Sequence, residues 1–277
     1  MPTITNHQMP PAIHTSANTA LLPGFLLQLR SRNRLLFYFG AINLMGALAS
    51  LLLVAPDPQN QVLGINAWIK PAKFSLSIWL LCWTLAWYLV YWEDRKAVQR
   101  FGYATVVTMT IEMVIITWQA ANGRLSHFNI STPLYGMLFS LMGVAITIFT
   151  LWVLYMNILF FRQQQFPIWM TDGYKEGIRW GMLLFVVFAF EGGLMASRLQ
   201  HTVGAPDGGA GLPFLNWSLE AGDLRVAHFF GMHALQVLPI TGYYLARERW
   251  QIHLFTLAYL LFVSLLLWQA LEGYPLL

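Results

Sequence analysis

The chain contains one cysteine, Cys82, and it sits inside an apolar run. No disulfide can form within the chain, so cysteine usage assigns no redox compartment. There is no Gly-x-Ser-x-Gly turn for a serine nucleophile and no Cys/His pairing for thiol chemistry. Ser75, Ser77 and Ser197 read as helix-packing residues. The last apolar run lacks lysine, which excludes a retinal Schiff base at the place rhodopsins use. Asp207-Gly-Gly-Ala-Gly is rich in glycine but lacks the lysine of a phosphate loop. Charge is scarce, at 10% of residues, where soluble domains carry roughly a quarter. No internal repeat is strong enough to point to an inverted-repeat transporter.

What the chain has in abundance is apolar length. Hydrophobic residues make up 57% of its 277 positions, and a helix needs about 20 apolar residues to cross a bilayer core of ~30 Å. Seven runs meet the pattern, at 34–55, 72–92, 102–121, 134–161, 177–199, 224–246 and 251–271. The breakers between them are Pro56 and Pro58, Glu93 to Lys96, Asn122-Gly123, Pro167, a loop at 202–222, and Arg247-Glu248-Arg249. The expected fold is therefore all-α, a polytopic transmembrane bundle of about seven helices. A single domain over 31–277 follows a tail over 1–30. That tail carries four prolines and no basic start before an apolar stretch, so it is expected to be disordered and cytoplasmic rather than a signal peptide.

Basic residues set the orientation. Arg30, Arg32, Arg34, Arg95, Lys96, Arg100, Arg162, Lys175, Arg179, Arg247 and Arg249 fall at one set of helix ends. Only Lys70, Lys73, Arg124, Arg198 and Arg225 fall at the other. The amino terminus is expected inside and the carboxyl terminus outside. The outer exceptions lie at or beside helix ends, together with His127, His201, His228, His233, Asp223 and Glu272.

Several constellations at those outer ends carry possible chemistry. Lys70 and Lys73 are three residues apart at the start of the second span, after Asn66 and around Pro71. They share a face with Ser77, beside the partial positive charge of a helix amino terminus, which suits a phosphate or carboxylate. Snorkelling to lipid headgroups is the plain alternative. In the third span Glu112 lies near mid-membrane with Gln119 two turns on. A charge there costs at least ~2.5 kcal/mol, so the acid must be neutral, paired or facing a wet cavity. Arg124, Ser126, His127 and Asn129 follow in a short polar segment.

Glu191 and Arg198 lie seven residues apart on the fifth span, about 10 Å along its axis, too far for a direct pair. Lys73 or His233 are the expected partners of Glu191, and Asp223 or Glu272 those of Arg198. The sixth span opens with Asp223 as a helix cap. Arg225, His228, Met232 and Gln236 form one stripe, and His233 stands about 140° from His228 around the axis. The two histidines cannot readily share a metal from one straight helix. The deeper His233 is the better candidate for a satisfied core histidine. The 202–222 loop is long for a compact bundle, which suits a lid or binding loop as well as a flexible surface loop.

Asn66–Phe74, Ser126–Asn129 and His228–Gln236 resemble segments of a family of bacterial multi-pass membrane proteins, over most of the chain beyond residue 35. The resemblance implies the bacterial cytoplasmic (inner) membrane and brings no activity with it.

The leading expectation is a membrane-embedded enzyme or binding protein for an anionic or amphipathic, lipid-like ligand, with its site open to the outer side. Asn66, Lys70, Lys73, Gln119, Arg124, Arg198, Asp223, Arg225 and Gln236 are the ligand-binding candidates. Glu112, Glu191, His228 and His233 are the acid–base candidates. A metal- or haem-binding redox or sensor protein is the alternative, with His127, His201, His228 and His233 as candidate ligands. A proton-coupled transporter is a further one. The partners expected are the lipid bilayer and a small anionic or amphipathic ligand, with no nucleic acid.

Overall fold

Most of the long helices begin at a residue that can take a free backbone amide. In a computed structural model, which describes residues 21–277, Asn33, Asp94, Thr132, Thr171 and Asp223 each accept a hydrogen bond from an amide of the first turn. They open α2 (Arg34–Val54), α4 (Arg95–Ala121), α5 (Pro133–Arg162), α6 (Asp172–Arg198) and α7 (Leu224–Tyr244). Glu248 opens α8 (Arg249–Leu271) through a reciprocal capping box with Gln251. Among the α-helices from Arg34 onward, α3 (Ile69–Tyr88) is the one without a side-chain cap. It has Pro71 in its first turn instead, where a missing N–H costs nothing.

The helices at the basic end start earlier than the apolar runs suggest. α4 begins at Arg95 and α6 at Asp172, because their first turns are helical but charged and hydropathy sees only the apolar remainder. The expected tail falls partly outside the described residues, at 1–20. Within them, Leu21–Arg32 forms a helix, α1. Phe25 stacks on Trp87 at 5.3 Å, and the Arg32 guanidinium lies over the same ring while donating to the Trp87 carbonyl at 2.9 Å.

Six helices are long and apolar enough to cross a membrane: α2, α3 with the 3₁₀ turn that follows it to Tyr91, α4, α5, α6 and α8. α7 has comparable length but stands outside that set, and it carries Arg225, His228 and His233. Much of the helix surface is apolar. Leu52, Ile42, Val107, Val114, Met137 and Leu261 all lie exposed on helix faces. A soluble protein would have to hide a surface of this kind against a partner, whereas lipid accepts it directly. These features fit an integral membrane protein.

Consecutive helices from α2 to α8 alternate in direction, which gathers their ends into two sets. At one end Trp92 donates to the Met156 carbonyl, Gln163 to Tyr91, and Gly173 to Arg247. At the other, Asn60 reaches the carbonyl of Ala120, Lys73 that of Leu215, and Gly222 that of Gly273. This second end holds the longer loops and two small antiparallel ribbons. β1 (Gln61–Val62) pairs with β2 (Ile65–Asn66), and β3 (Thr202–Val203) with β4 (Gly222–Asp223).

The tightest seam joins α6 to α7. Gly173, Gly177 and Gly181 recur every four residues and line one face of α6. A Cβ placed on Gly177 would sit 2.6 Å from the Leu238 carbonyl oxygen, and one on Gly181 2.7 Å from that of Ala234. Backbones that meet this closely gain packing and weak contacts that lipid cannot replace.

Candidate functional site

The residues that hold the loop-rich end together also present its charges. Asn66 accepts from the Trp68 amide at 3.0 Å and donates to the Asp57 carbonyl at 2.7 Å. The Trp68 indole donates to the Asp57 carboxylate at 2.9 Å. That bond, with a second from Asn60, holds the Asp57 carboxyl below its usual range. Asn66 therefore builds the loop that starts α3, and α3 in turn presents Lys70 and Lys73.

Neither ammonium has a carboxylate within salt-bridge distance among the described residues. Lys70 lies over the Phe74 ring at 5.9 Å and interacts electrostatically with Lys73, Arg225, Asp207 and Glu112. Lys73 donates to the Leu215 carbonyl at 3.1 Å. Two acids of the neighbouring loop and helix start are taken. Asp223, 2% exposed, accepts from the Ser218 amide at 2.8 Å, the Arg225 amide at 3.0 Å and the Arg225 guanidinium at 2.9 and 2.5 Å. Arg225 also donates to the Asn216 carbonyl. Asp207 accepts from His201 Nδ1 at 2.6 Å, from the amides of His201 and Thr202, and from the Thr202 hydroxyl. Asp207, Leu215, Asn216 and Ser218 thus tie the 199–223 segment into a folded cover over α3 and α7.

Burial disfavours the charged form of both loop histidines. Burial pushes the His127 imidazole well below the ordinary histidine range, and the nearby positive charge of Lys70 adds to this. Its ring packs on Phe74 at 5.3 Å and its Nδ1 lies 3.0 Å from the Ser126 hydroxyl. Burial likewise lowers His201, against the hydrogen bond to Asp207. Burial pushes the Asp207 carboxyl up, but the His201 and Thr202 bonds outweigh it and hold the group well below its usual range.

Deeper in the bundle the Glu191 carboxylate lies 3.1 Å from His228 Nδ1. The His228 ring rests on Gly192, where a Cβ would come within 2.9 Å of it. Glu191 is 8% exposed, Glu112 5% and Gln119 1%. One oxygen of each acid and both polar atoms of Gln119 have no protein partner among the described residues. Buried polar atoms are seldom left so, because each forfeits a hydrogen bond it had in water.

The other candidates lie apart. Arg198 is exposed at the end of α6, and Arg124 is exposed with its guanidinium 5.0 Å from the Tyr135 ring. Glu191 pairs with His228 rather than Lys73 or His233, and Asp223 with Arg225 rather than Arg198. Ser77 is exposed, away from the half-buried lysines. Gln236 donates to the Thr84 hydroxyl at 3.1 Å, and His233 turns toward α8. Among the described residues no three His, Cys, Asp or Glu side chains converge to hold a metal ion. Sequence reasoning missed Asp207 and the cover's backbone carbonyls. Asp207 stands beside glycines that read only as flexibility, and the carbonyls leave no mark in the sequence.

Comparison of the chain with protein-family models, with curated proteins and with solved structures gave no match.

Proposed function

We propose that this is a seven-span protein of a bacterial inner membrane, amino terminus in the cytoplasm, with a binding site for an anionic, amphipathic ligand at its loop-rich, non-cytoplasmic end. α7 is the seventh span, and the basic residues at the opposite end set the orientation. One observation carries the site: Lys70 and Lys73 stand one turn apart at the start of α3 with no carboxylate partner, while Asp207 and Asp223 are committed elsewhere. Two half-buried ammonium groups left in this state suit a ligand's negative head group. Arg225, whose charge is largely absorbed by Asp223, borders the same ground and fixes the cover. Below, the unpartnered atoms of Glu112, Gln119 and Glu191 suit the hydroxyls of a head group. The Glu191–His228 pair is the place for acid–base chemistry should a reaction follow binding.

Detergent-purified full-length protein is the material for the test. Dioleoyl phosphatidic acid should bind in native mass spectra in preference to dioleoyl phosphatidylcholine. Replacing both Lys70 and Lys73 by alanine should lower its affinity about tenfold or more, as loss of charged hydrogen bonds does, with the protein still monodisperse. Arg124→Ala and Arg198→Ala should change nothing. Equal binding of the two lipids, or an unchanged double variant, would sink the reading.

A further inference from the structure

Halfway along α7 the chain places an imidazole against α8 in the middle of an apolar surface. The His233 ring packs on Phe229 at 4.1 Å. Its Nδ1 lies 2.7 Å from the Phe229 carbonyl oxygen. A carbonyl can only accept, so Nδ1 carries the proton and donates. The neutral ring then offers Nε2 as a bare acceptor. No described residue donates to it, and it is not among the fully buried atoms left without partners.

His233 lines a groove of about 480 Å³ between α7 and α8, walled by Phe229, Phe230, Phe255, Tyr259 and Phe262. The Tyr259 hydroxyl has its hydrogen committed, donating to the Phe230 carbonyl at 2.6 Å. The groove's side chains therefore offer no free donor, and the imidazole Nε2 is the stronger acceptor beside the Tyr259 oxygen, within aromatic walls. On the seven-span reading, which this step rests on, acyl chains surround the groove, supply no donor and keep bulk water out. Small-molecule sites have this composition, mostly apolar with a few placed polar groups.

We infer that the groove binds a membrane-soluble hydroxyarene, a phenol or hydroquinone ring with an apolar tail, whose O–H donates to His233 Nε2 while the ring packs against the phenylalanines. A flat ring is favoured over an aliphatic alcohol because aromatic pairs gain beyond the area they bury. This site lies apart from the lysines of the proposed head-group site and does not depend on them.

The test uses full-length protein in phosphatidylcholine nanodiscs with para-dodecylphenol and para-dodecylanisole, in which a methyl replaces the donor hydrogen. The phenol should saturate and bind about fivefold more tightly than the anisole, as one net hydrogen bond provides. His233→Phe should reduce the phenol to the level of the anisole and leave the anisole unchanged. Ala258→Trp, which fills the groove from α8, should abolish both, and it carries the test if His233→Phe does not fold. The inference is overturned by equal affinities in the unaltered protein, or by a preference that survives His233→Phe. It is equally overturned by dodecanol binding as tightly as the phenol, or by uptake no greater than that of empty nanodiscs.

Discussion

Asp223 and Arg225 are joined side chain to side chain across a single intervening residue, and the same carboxylate caps α7 and accepts the Ser218 amide. One buried group thus fixes a helix start, a cation and the returning edge of the long loop. Asp223→Ala strands the guanidinium and two amides at once. Thermal unfolding in mild detergent should show a loss of about 3 kcal/mol, the low end for breaking a buried pair because Arg225 is part-exposed. A change of less than about 0.5 kcal/mol, the range of ordinary surface substitutions, would mean that water replaces these bonds freely.

The proposed orientation is directly measurable, because Cys82 is fully buried and gives no background. Ala210→Cys in the long loop should react with a membrane-impermeant maleimide in spheroplasts. Gln164→Cys, on the α5–α6 connection, should react only after lysis. The reverse pattern would invert the protein in the membrane.

Acid should loosen the cover. His201 is held below its ordinary value of 6.5 by burial, so the native state binds fewer protons than the unfolded one. Stability from this group is complete above that value and declines as pH falls through it. Asp207, held below its ordinary 3.8 by the His201 and Thr202 bonds after they overcome burial, adds a second loss at still lower pH. Protection of the amides of residues 199–223, measured against the intrinsic exchange rate at each pH, should fall from pH 7 to pH 5 and further toward pH 3. In His201→Phe the first step should vanish and the second should shrink, because Asp207 keeps only the Thr202 hydroxyl and the two backbone amides.

The α6–α7 seam predicts a sharp size limit. Gly177→Ala directs a methyl at the backbone of Leu238, which cannot turn aside as a side chain could. Overpacking of this kind costs about 1–3 kcal/mol, so the thermal midpoint should fall. Gly136→Ala on α5, where a Cβ meets nothing within 4 Å, should leave it unchanged.

The helices were legible because a run of apolar residues long enough for lipid leaves few alternatives. Their ends at the basic side were less so, since Arg95 to Arg100 and Lys175 to Arg179 are helical without being apolar. At the loop-rich end the stripe from Arg225 to Gln236 and the lysine pair could be read from spacing alone. Pairing could not: Glu191 meets His228 because α6 and α7 touch through glycine, at Gly192 beside the pair and at Gly173, Gly177 and Gly181 farther along the seam. The glycine spacing was present in the sequence, masked by the charges between its members. Asp207 engages His201 through a turn whose geometry glycine permits but does not announce.

The glycine seam has a consequence for how the chain enters a bilayer. On the seven-span reading, α7 is the segment whose own hydropathy gives the weakest case for leaving the aqueous phase, with Arg225, His228 and His233 in its first half. α6 precedes it, is amply apolar, and offers a ready groove of backbone. The two would be inserted as one hairpin, α6 carrying its more polar successor. Substitutions that block the seam would then appear as a failure of membrane integration of α7, before any effect on ligand binding is measured.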